Sequence, residues 1–206
     1  MPKVSDAHLQ ARRRQILDAA GRCFARDGFH RTSMQDVVRE CGISAGLVYR
    51  YFASKDEMIV AMVTEWHDER QALVEPAGGT RSPRGGRAGL DDVEAAYLDL
   101  LRSVGDPASR QDLRLGVQIW AETVRSEQLR AVARRGVDRP RAVLVDVVRQ
   151  AQENGALTTD VDADALVRVL IAVYQGLRLQ TLWDETVDNE AVVRTTQAVL
   201  AALAPR

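Results

Sequence analysis

The stretch TSMQDVVRECGISAGLVYRYFASK, residues 32–55, decides the fold of this chain. Its helix-capping and helix-ending residues predict two short helices joined by a tight turn. Ser33, with Asp36 three residues later, forms a capping-box pattern that places the start of the first helix at Ser33. Cys41 and Gly42 end that helix, because glycine readily takes the left-handed conformation that a helix terminus needs.

The second half of the stretch carries the same kind of signal. Ser44 is placed to cap the second helix, and Ser54 with Glu57 forms a further capping box that opens a third helix. Two short helices across a glycine-containing turn are typical of the helix-turn-helix, whose second helix enters the major groove of DNA. The stretch therefore predicts a DNA-reading element.

Length and composition place the chain in a broad class. Its 206 residues allow one large domain or two small ones, and either can bury a core. Hydrophobic residues make up 46% and charged residues 28%, as in an ordinary globular protein. No apolar run approaches the roughly 20 residues of a membrane span, and the start MPKVSD lacks the pattern of a signal peptide. We therefore expect a cytoplasmic protein without a membrane partner.

The net charge of −1 hides an uneven distribution. Through residue 55 the chain has ten basic and five acidic side chains, a balance of +5. The remainder has 18 basic and 24 acidic side chains, a balance of −6. A basic head on an acidic body favours a polyanionic partner for the head alone.

The residues that usually carry chemistry are few and scattered. Cys23 and Cys41 both occupy apolar helical positions, so we expect them in the core, where a free cysteine behaves as a small hydrophobe. The histidines are His8, His30 and His67, and no Ser/His/Asp set, glycine-rich phosphate loop or metal-ligand cluster accompanies them. We expect no catalytic site, no metal site and no cofactor.

The remaining pattern is helical throughout. Residues 1–8 are expected to be a disordered leader, and apolar spacing predicts helices over 9–27 and 55–75. A stretch rich in glycine and proline, 76–89, predicts a flexible loop. Further helices are predicted over 91–103, 106–124, 126–154 with a break or a jog near Gly136 and Pro140, 162–183 and 190–203. The sequence contains no convincing strand pattern.

These elements predict an all-α protein of two domains. The first, residues 1–54, is a three-helix DNA-binding domain with a helix-turn-helix, and the second, residues 55–206, is a helical domain for ligand binding and dimerisation. The last two helices, about 162–183 and 190–203, are apolar on most of their surface. We expect them to form a four-helix seam with a second copy of the chain. The alternative is that they complete the core of a monomer.

Several residues of the head are candidates for DNA contact. Ala45 and Gly46 are small enough to let the second helix approach a groove wall closely. Tyr49 and Tyr51 each combine an apolar ring with a hydroxyl suited to phosphate, although either residue could equally serve the core. The arginines at 12–14 fit phosphate contact and a solvated helix face equally well.

The head strongly resembles the TetR family of bacterial transcriptional regulators. The matching residues extend over about 45 positions: Ile16-Leu17-Asp18-Ala19-Ala20, Phe24, Gly28, Thr32-Ser33-Met34, Val37, Gly42-Ile43-Ser44, Gly46, Tyr49 and Tyr51-Phe52-Ala53-Ser54-Lys55. The resemblance implies an all-α, two-domain homodimer that binds double-stranded operator DNA. It also implies a C-terminal domain that binds a small ligand and changes the spacing of the DNA-binding heads.

Position by position, the resemblance implies which residues touch DNA. The family's phosphate contacts fall on Thr32 or Ser33, Tyr49, Tyr51 and Lys55, and its base-reading positions fall on Ser44, Ala45, Gly46 and Tyr49. The sequence departs from the family's pattern by carrying Arg50 between the two tyrosines. Because Arg50 points about 100° away from Tyr49 around the helix, we do not count it among the predicted DNA contacts.

The sequence thus favours a ligand-responsive repressor that binds a palindromic operator as a dimer. Our candidates for the ligand pocket are Tyr97, Gln118, Trp120, Tyr174 and Gln175, each of which could instead pack in the core. Because the apolar helix faces carry few charges, an apolar or amphipathic effector is favoured over a metal or a sugar. The alternative is a DNA-binding regulator controlled by a protein partner, and an enzyme is the least supported reading.

Overall fold

The computed structural model describes residues 6–65 and 87–204, and these residues form α-helices joined by short connections. The first range holds α1 (Asp6–Asp27), α2 (Met34–Cys41), α3 (Ala45–Tyr51) and α4, which starts at residue 55 and reaches residue 65, where the range ends. The second range holds α5 (Arg87–Val104), a 3₁₀ turn (Pro107–Ser109), α6 (Arg110–Thr123), α7 (Glu127–Glu153), α8 (Ala163–Trp183) and α9 (Asn189–Ala201). Neither range contains a strand, and the predicted all-α fold is confirmed.

Two predicted helix starts lie later in the chain than the real ones. Helix α1 starts at Asp6, so the last residues of the predicted leader are helical, and α5 starts at Arg87, so residues 87–89 of the predicted loop are helical too. The rest of the leader and of the loop, together with the second half of the helix predicted over 55–75, lies outside the described residues.

The predicted break near Gly136 and Pro140 is wrong, because α7 continues through both residues. A proline inside a helix removes one backbone hydrogen bond and crowds the preceding turn. Buried apolar side chains lie on α7 both before and after Pro140, among them Val132 and Val148. Burial of these two flanks stabilises the helix enough to offset the local cost.

Residues 6–65 and 114–133 pack as one compact unit, which we call the N-terminal unit. Its core contains fully buried side chains of α1, including Ile16, Phe24 and Cys23, packed with residues of α2, α3 and α4. Phe24 meets Phe29 edge to face at a centroid distance of 4.9 Å. Cys23 and Cys41 are both free and buried, which confirms their predicted place in the core.

The predicted DNA-binding domain, residues 1–54, is smaller than the N-terminal unit. Helix α4 contributes Met58 and Met62 to the same core, and the later segment 114–133 contributes Leu115 and Ile119. The functional boundary between residues 54 and 55 stays a prediction.

Residues 87–113 and 134–204 form the second compact unit, which we call the C-terminal unit. In this unit α5 packs against α8 and α9 around a cluster that includes Leu101, Leu177 and Val193. A second cluster joins α7 and α8 through residues such as Val148 and Val167. Among the described helices, none is long and apolar enough to cross a membrane.

Candidate nucleic-acid interface

The start of α2 is fixed by the capping box predicted from the sequence. The Ser33 hydroxyl accepts a hydrogen bond from the Asp36 backbone N–H at 3.2 Å, and the Ser33 N–H donates to the Asp36 carboxylate at 2.9 Å. Hydrogen bonds from the hydroxyl and the N–H of Ser33 lower the pKa of Asp36. At the other end Gly42 takes φ +69° and its N–H donates to the Val38 carbonyl, which confirms the predicted helix end.

Replacing Ser33 with alanine is expected to lower the free energy of unfolding by about 1 kcal/mol, the typical loss for an N-cap serine. Denaturant unfolding of both proteins measures the difference. The matched control is Ser44→Ala, because Ser44 occupies an N-cap position without a side-chain capping bond. Equal losses for the two variants would contradict the assignment.

The effect of Ser33→Ala should also depend on pH. Because the pKa of Asp36 is lowered in the folded protein, its stabilising contribution is complete above the ordinary aspartate pKa of about 3.9 and is lost as the pH falls through the lower folded value. The difference between Ser33→Ala and the parent protein should therefore narrow in acid. Thermal unfolding from neutral pH down to strongly acidic pH tests this, and a constant difference would oppose it.

Helix α3 presents one face outward and the other to the core. Val48 is fully buried, while Leu47 and Tyr51 are half-buried. The exposed face consists of Ala45, Gly46, Tyr49 and Arg50. This face includes three of the four predicted base-reading positions, and their contact with bases stays a prediction.

Ser44 precedes this face as the N-cap residue of α3, which confirms its predicted position, but the predicted capping bond of its hydroxyl does not form. The Ser44 side chain is exposed and makes no capping hydrogen bond. Its backbone carbonyl accepts instead from the N–H groups of Leu47 and Val48, at 3.0 and 3.2 Å. Since these bonds close the first turn, α3 forms without the hydroxyl.

The two tyrosines differ in exposure. Tyr49 is 48% exposed and projects from the outward face of α3. Tyr51 is half-buried against the core of the N-terminal unit, and the Arg50 guanidinium lies 5.7 Å from the centroid of its ring. Tyr49 is therefore the freer of the two to meet a groove, while Tyr51 also supports the fold.

The side chains of Thr32 and Lys55, two predicted phosphate contacts, both form hydrogen bonds within the protein. Thr32 is 3% exposed, and its hydroxyl donates to the Gly28 carbonyl at 2.8 Å. The Lys55 ammonium donates to the carbonyls of Phe29 and Thr32, the latter at 3.2 Å. Of the pair Thr32 and Ser33, only Ser33 has an exposed side chain, so the geometry does not support a phosphate contact by the Thr32 hydroxyl.

The predicted capping box at the start of α4 is half right. The Glu57 N–H donates to the Ser54 hydroxyl at 3.2 Å, as expected. The Glu57 carboxylate, however, accepts from the N–H of Ala53 at 2.8 Å and not from that of Ser54. The return bond therefore holds the residue that follows Phe52, at the exit of α3.

The three arginines at 12–14 have different surroundings. Arg13 forms an ion pair with Glu65 and lies over the ring of Phe52, at 5.4 Å from its centroid. Arg12 donates to the Gln15 side chain at 2.6 Å. Arg14 is exposed and makes no hydrogen bond or ion pair within the described part of the chain. Among the described residues, Arg14 therefore has fewer competing contacts than Arg12 or Arg13.

Three of the five predicted pocket residues belong to the C-terminal unit. The Tyr97 hydroxyl donates to the Leu170 carbonyl at 2.7 Å, and burial raises the pKa of Tyr97 to about 12. Tyr174 packs on the same apolar cluster as Tyr97, and Gln175 beside it is half-buried. Tyr97 and Tyr174 therefore share one apolar environment. Contact of any of the three residues with a ligand stays a prediction.

The other two, Gln118 and Trp120, lie on α6 in the N-terminal unit. Gln118 is half-buried, and its side-chain oxygen is buried without a hydrogen-bond partner among the described residues. Trp120 is 37% exposed. A ligand role for either residue also stays a prediction.

Arg178 is a further residue of interest that the sequence analysis missed. It lies on α8, is 4% exposed, and places its guanidinium 5.4 Å from the centroid of the Tyr174 ring. The sequence offered one signal for it, because Arg178 lies within a mostly apolar helix. A charge that is buried there requires compensating interactions.

No other feature of the described residues indicates a chemical site. They contain no group of histidine, cysteine, aspartate and glutamate that could hold a metal ion. A recess of about 360 Å³ in the C-terminal unit is lined mainly by α5 residues, among them Asp91, Glu94 and Arg102. It is open to solvent and includes none of the five predicted pocket residues.

The capped α2, the left-handed Gly42 and the outward face of α3 together define a helix-turn-helix DNA-binding protein. Comparison with known families narrows this class. Residues 16–62 match the model of bacterial regulatory proteins of the tetR family, and residues 90–205 match that of the BetI-type transcriptional repressor C-terminal domain. The chain belongs to the TetR family of transcriptional regulators, a family of regulators and not of enzymes.

Similar proteins agree with this assignment. The HTH-type transcriptional repressor Rv1474c of Mycobacterium tuberculosis is 35% identical over 180 residues, which cover 86% of each chain. A transcriptional regulator from Saccharomonospora viridis in complex with choline has a TM-score of 0.78 at 21% identity, covering 96% of this chain and all of that one. The SmeT–triclosan complex has a TM-score of 0.75 at 22% identity, covering 92% and 91%. At such identities the two structures establish the fold alone.

Proposed function

We propose that the protein is a ligand-responsive repressor that binds a palindromic operator as a dimer and is released by a small apolar or amphipathic effector. The observation that carries the proposal is the outward face of α3, held by a capped α2 and a buried Val48. Phosphate contacts would supply affinity, and base edges read by Ser44, Ala45, Gly46 and Tyr49 would supply specificity. The cytoplasmic location expected from the sequence stays a prediction.

DNA selection tests the operator part of the proposal. The full-length protein is incubated with a random duplex pool, and the bound duplexes are enriched and sequenced. We expect an inverted repeat whose half-sites lie about one helical turn apart. Fluorescence anisotropy on the selected duplex should show binding that weakens steeply with added salt, because phosphate contacts release counterions. Binding no tighter than to a scrambled duplex at moderate salt would refute the proposal.

The proposed dimer seam is supported by a stripe of apolar and small residues on α8, exposed except at the half-buried Gly176. Its members recur at spacings of four and three residues: Ala165, Val169, Ala172, Gly176, Leu179 and Trp183. Val169 is 57% exposed and Trp183 67%, and Val199 on α9 is 59% exposed. A 3.5-residue repeat of apolar side chains suits packing against a partner helix, and the small members permit close approach.

Replacing Leu179 with glutamate is expected to weaken the dimer by at least about tenfold, because an unpaired carboxylate would be buried in the seam. Sedimentation velocity over a concentration series measures this. Leu100→Glu is the matched control, since Leu100 is 39% exposed and Leu179 38%, but Leu100 lies on α5. If both variants remain dimers, the seam lies elsewhere.

The proposed effector class is supported by the apolar surroundings of Tyr97 and Tyr174 in the C-terminal unit. An effector can release DNA only if it binds more tightly to the state that does not bind the operator. Choline and triclosan, each seen with a structurally similar protein, are suitable first probes. An effector should raise the melting temperature and weaken operator binding together. If no apolar or amphipathic compound in a broad panel does so, control by a protein partner becomes the better hypothesis.

A further inference from the structure

We propose that Lys55 is a positioning residue for DNA reading and not a phosphate ligand. Its ammonium joins the point where the chain enters the α2–α3 pair to the point where the chain leaves it. The inference rests on the proposed operator binding, and it reverses the phosphate contact that family resemblance implies for this position.

The contacts of Lys55 define this link, which we call the Lys55 clasp. The ammonium donates to the carbonyl of Phe29 and, at 3.2 Å, to that of Thr32. Both carbonyls belong to the connection between α1 and α2. Since Lys55 is the first residue of α4, the clasp connects residues that lie 26 and 23 positions apart in the chain.

The entry side of the clasp is held by hydrogen bonds of its own. The hydroxyl and the N–H of Thr32 both donate to the Gly28 carbonyl, at 2.8 and 3.2 Å. Gly28 takes φ +84°, a conformation that favours glycine. Ser33, the cap of α2, follows Thr32 directly. The position of the Thr32 carbonyl therefore determines where α2 begins.

The exit side lies between α3 and α4. Phe52 is 2% exposed and anchors the end of α3, and the Glu57 carboxylate holds the N–H of Ala53. Lys55 follows two residues later. The clasp thus closes residues 32–55 into a loop whose two ends are held together by a charged side chain and two backbone carbonyls. Its loss would leave the helix-turn-helix folded but less precisely oriented.

The same contacts leave Lys55 fewer donors for a phosphate. An ammonium has three N–H donors, and two of them are used by Phe29 and Thr32. The side chain is also half-buried. Arg31, which lies between Phe29 and Thr32, is by contrast exposed and makes no hydrogen bond or ion pair within the described ranges. Arg31 therefore offers the same segment a cation that can reach a phosphate.

Lys55→Met tests the proposal, because it removes the ammonium while keeping a long, apolar side chain. Affinities of the full-length protein are measured by anisotropy, over a range of NaCl concentrations, for a duplex selected by the parent protein and for a scrambled duplex. We expect operator affinity to fall about tenfold, as for loss of charge-assisted hydrogen bonds, with scrambled-duplex affinity and the salt slope unchanged. Arg31→Met, which removes from the same segment a cation able to reach a phosphate, is the matched contrast: it should weaken binding to both duplexes and reduce the salt slope by about 0.9.

Two outcomes would overturn the clasp as a positioning device. A uniform loss on both duplexes, with the salt slope reduced by about 0.9, would identify Lys55 as a phosphate ligand. A lower melting temperature with both affinities unchanged, measured where the variant is fully folded, would make its role purely structural. If Lys55→Met does not fold, Lys55→Arg carries the comparison: a phosphate ligand tolerates this change, whereas the planar guanidinium cannot reproduce the compact ammonium between two carbonyls. Failure of the parent protein to select any duplex would instead refute the proposed function.

Discussion

Replacing Tyr49 with alanine is expected to reduce operator affinity by about 10- to 100-fold, the range for losing a good contact in the groove. Tyr49 is 48% exposed on the outward face of α3, and no side-chain partner within the described residues holds it. Its removal should therefore leave the melting temperature almost unchanged. Anisotropy on the selected duplex and thermal unfolding by circular dichroism measure the two effects.

Tyr49→Phe separates the contributions of ring and hydroxyl. If the hydroxyl binds a phosphate, Tyr49→Phe should lose much of the affinity that alanine loses. If the ring packs against bases or sugars, phenylalanine should retain it. A large drop in melting temperature for Tyr49→Ala, with operator affinity preserved, would instead make Tyr49 a scaffold residue.

Replacing Phe24 with alanine should have the largest effect on stability, a loss of about 3–5 kcal/mol in the free energy of unfolding. Phe24 is fully buried in the core of the N-terminal unit and meets Phe29 edge to face. The substitution removes a large apolar side chain and leaves a cavity beneath the helix-turn-helix. Operator binding should consequently fail at a lower temperature than in the parent protein.

Denaturant unfolding with a fluorescence or circular dichroism probe measures this loss. Leu9→Ala is the matched control, because Leu9 lies on the same helix and is 36% exposed. Its effect should stay within about 0.5 kcal/mol, as is usual for surface positions. A similar small effect for Phe24→Ala would mean that the core repacks around the missing ring.

If the Lys55 clasp acts as proposed, family resemblance alone would misassign Lys55 as a phosphate contact. Thr32 and Lys55 match family positions that touch phosphate, yet here the Lys55 ammonium donates a hydrogen bond to the Thr32 carbonyl. Both residues can still govern DNA binding, because they set the start of α2 and hence the orientation of α3. Residues that position a recognition helix and residues that touch DNA would look alike in a simple affinity measurement. Salt dependence separates the two.

The all-α fold, the ends of α2 and the family could be predicted from the sequence because each depends on residues close together in the chain. The capping bonds of Ser33 reach three residues, and the end at Gly42 depends on one residue's conformation. Helical periodicity likewise repeats within a turn or two. Signals of this range can be recognised without knowing which distant segments pack around them.

Only the tertiary structure decided which candidate side chains are available to a partner. Lys55 is held by carbonyls more than 20 positions away, and Arg13 by Glu65, 52 positions away. Pro140 is tolerated because burial on both sides offsets its local cost. Gln118 and Tyr97, both candidates for the predicted pocket, belong to different compact units. These outcomes depend on contacts between distant segments, which no local pattern encodes.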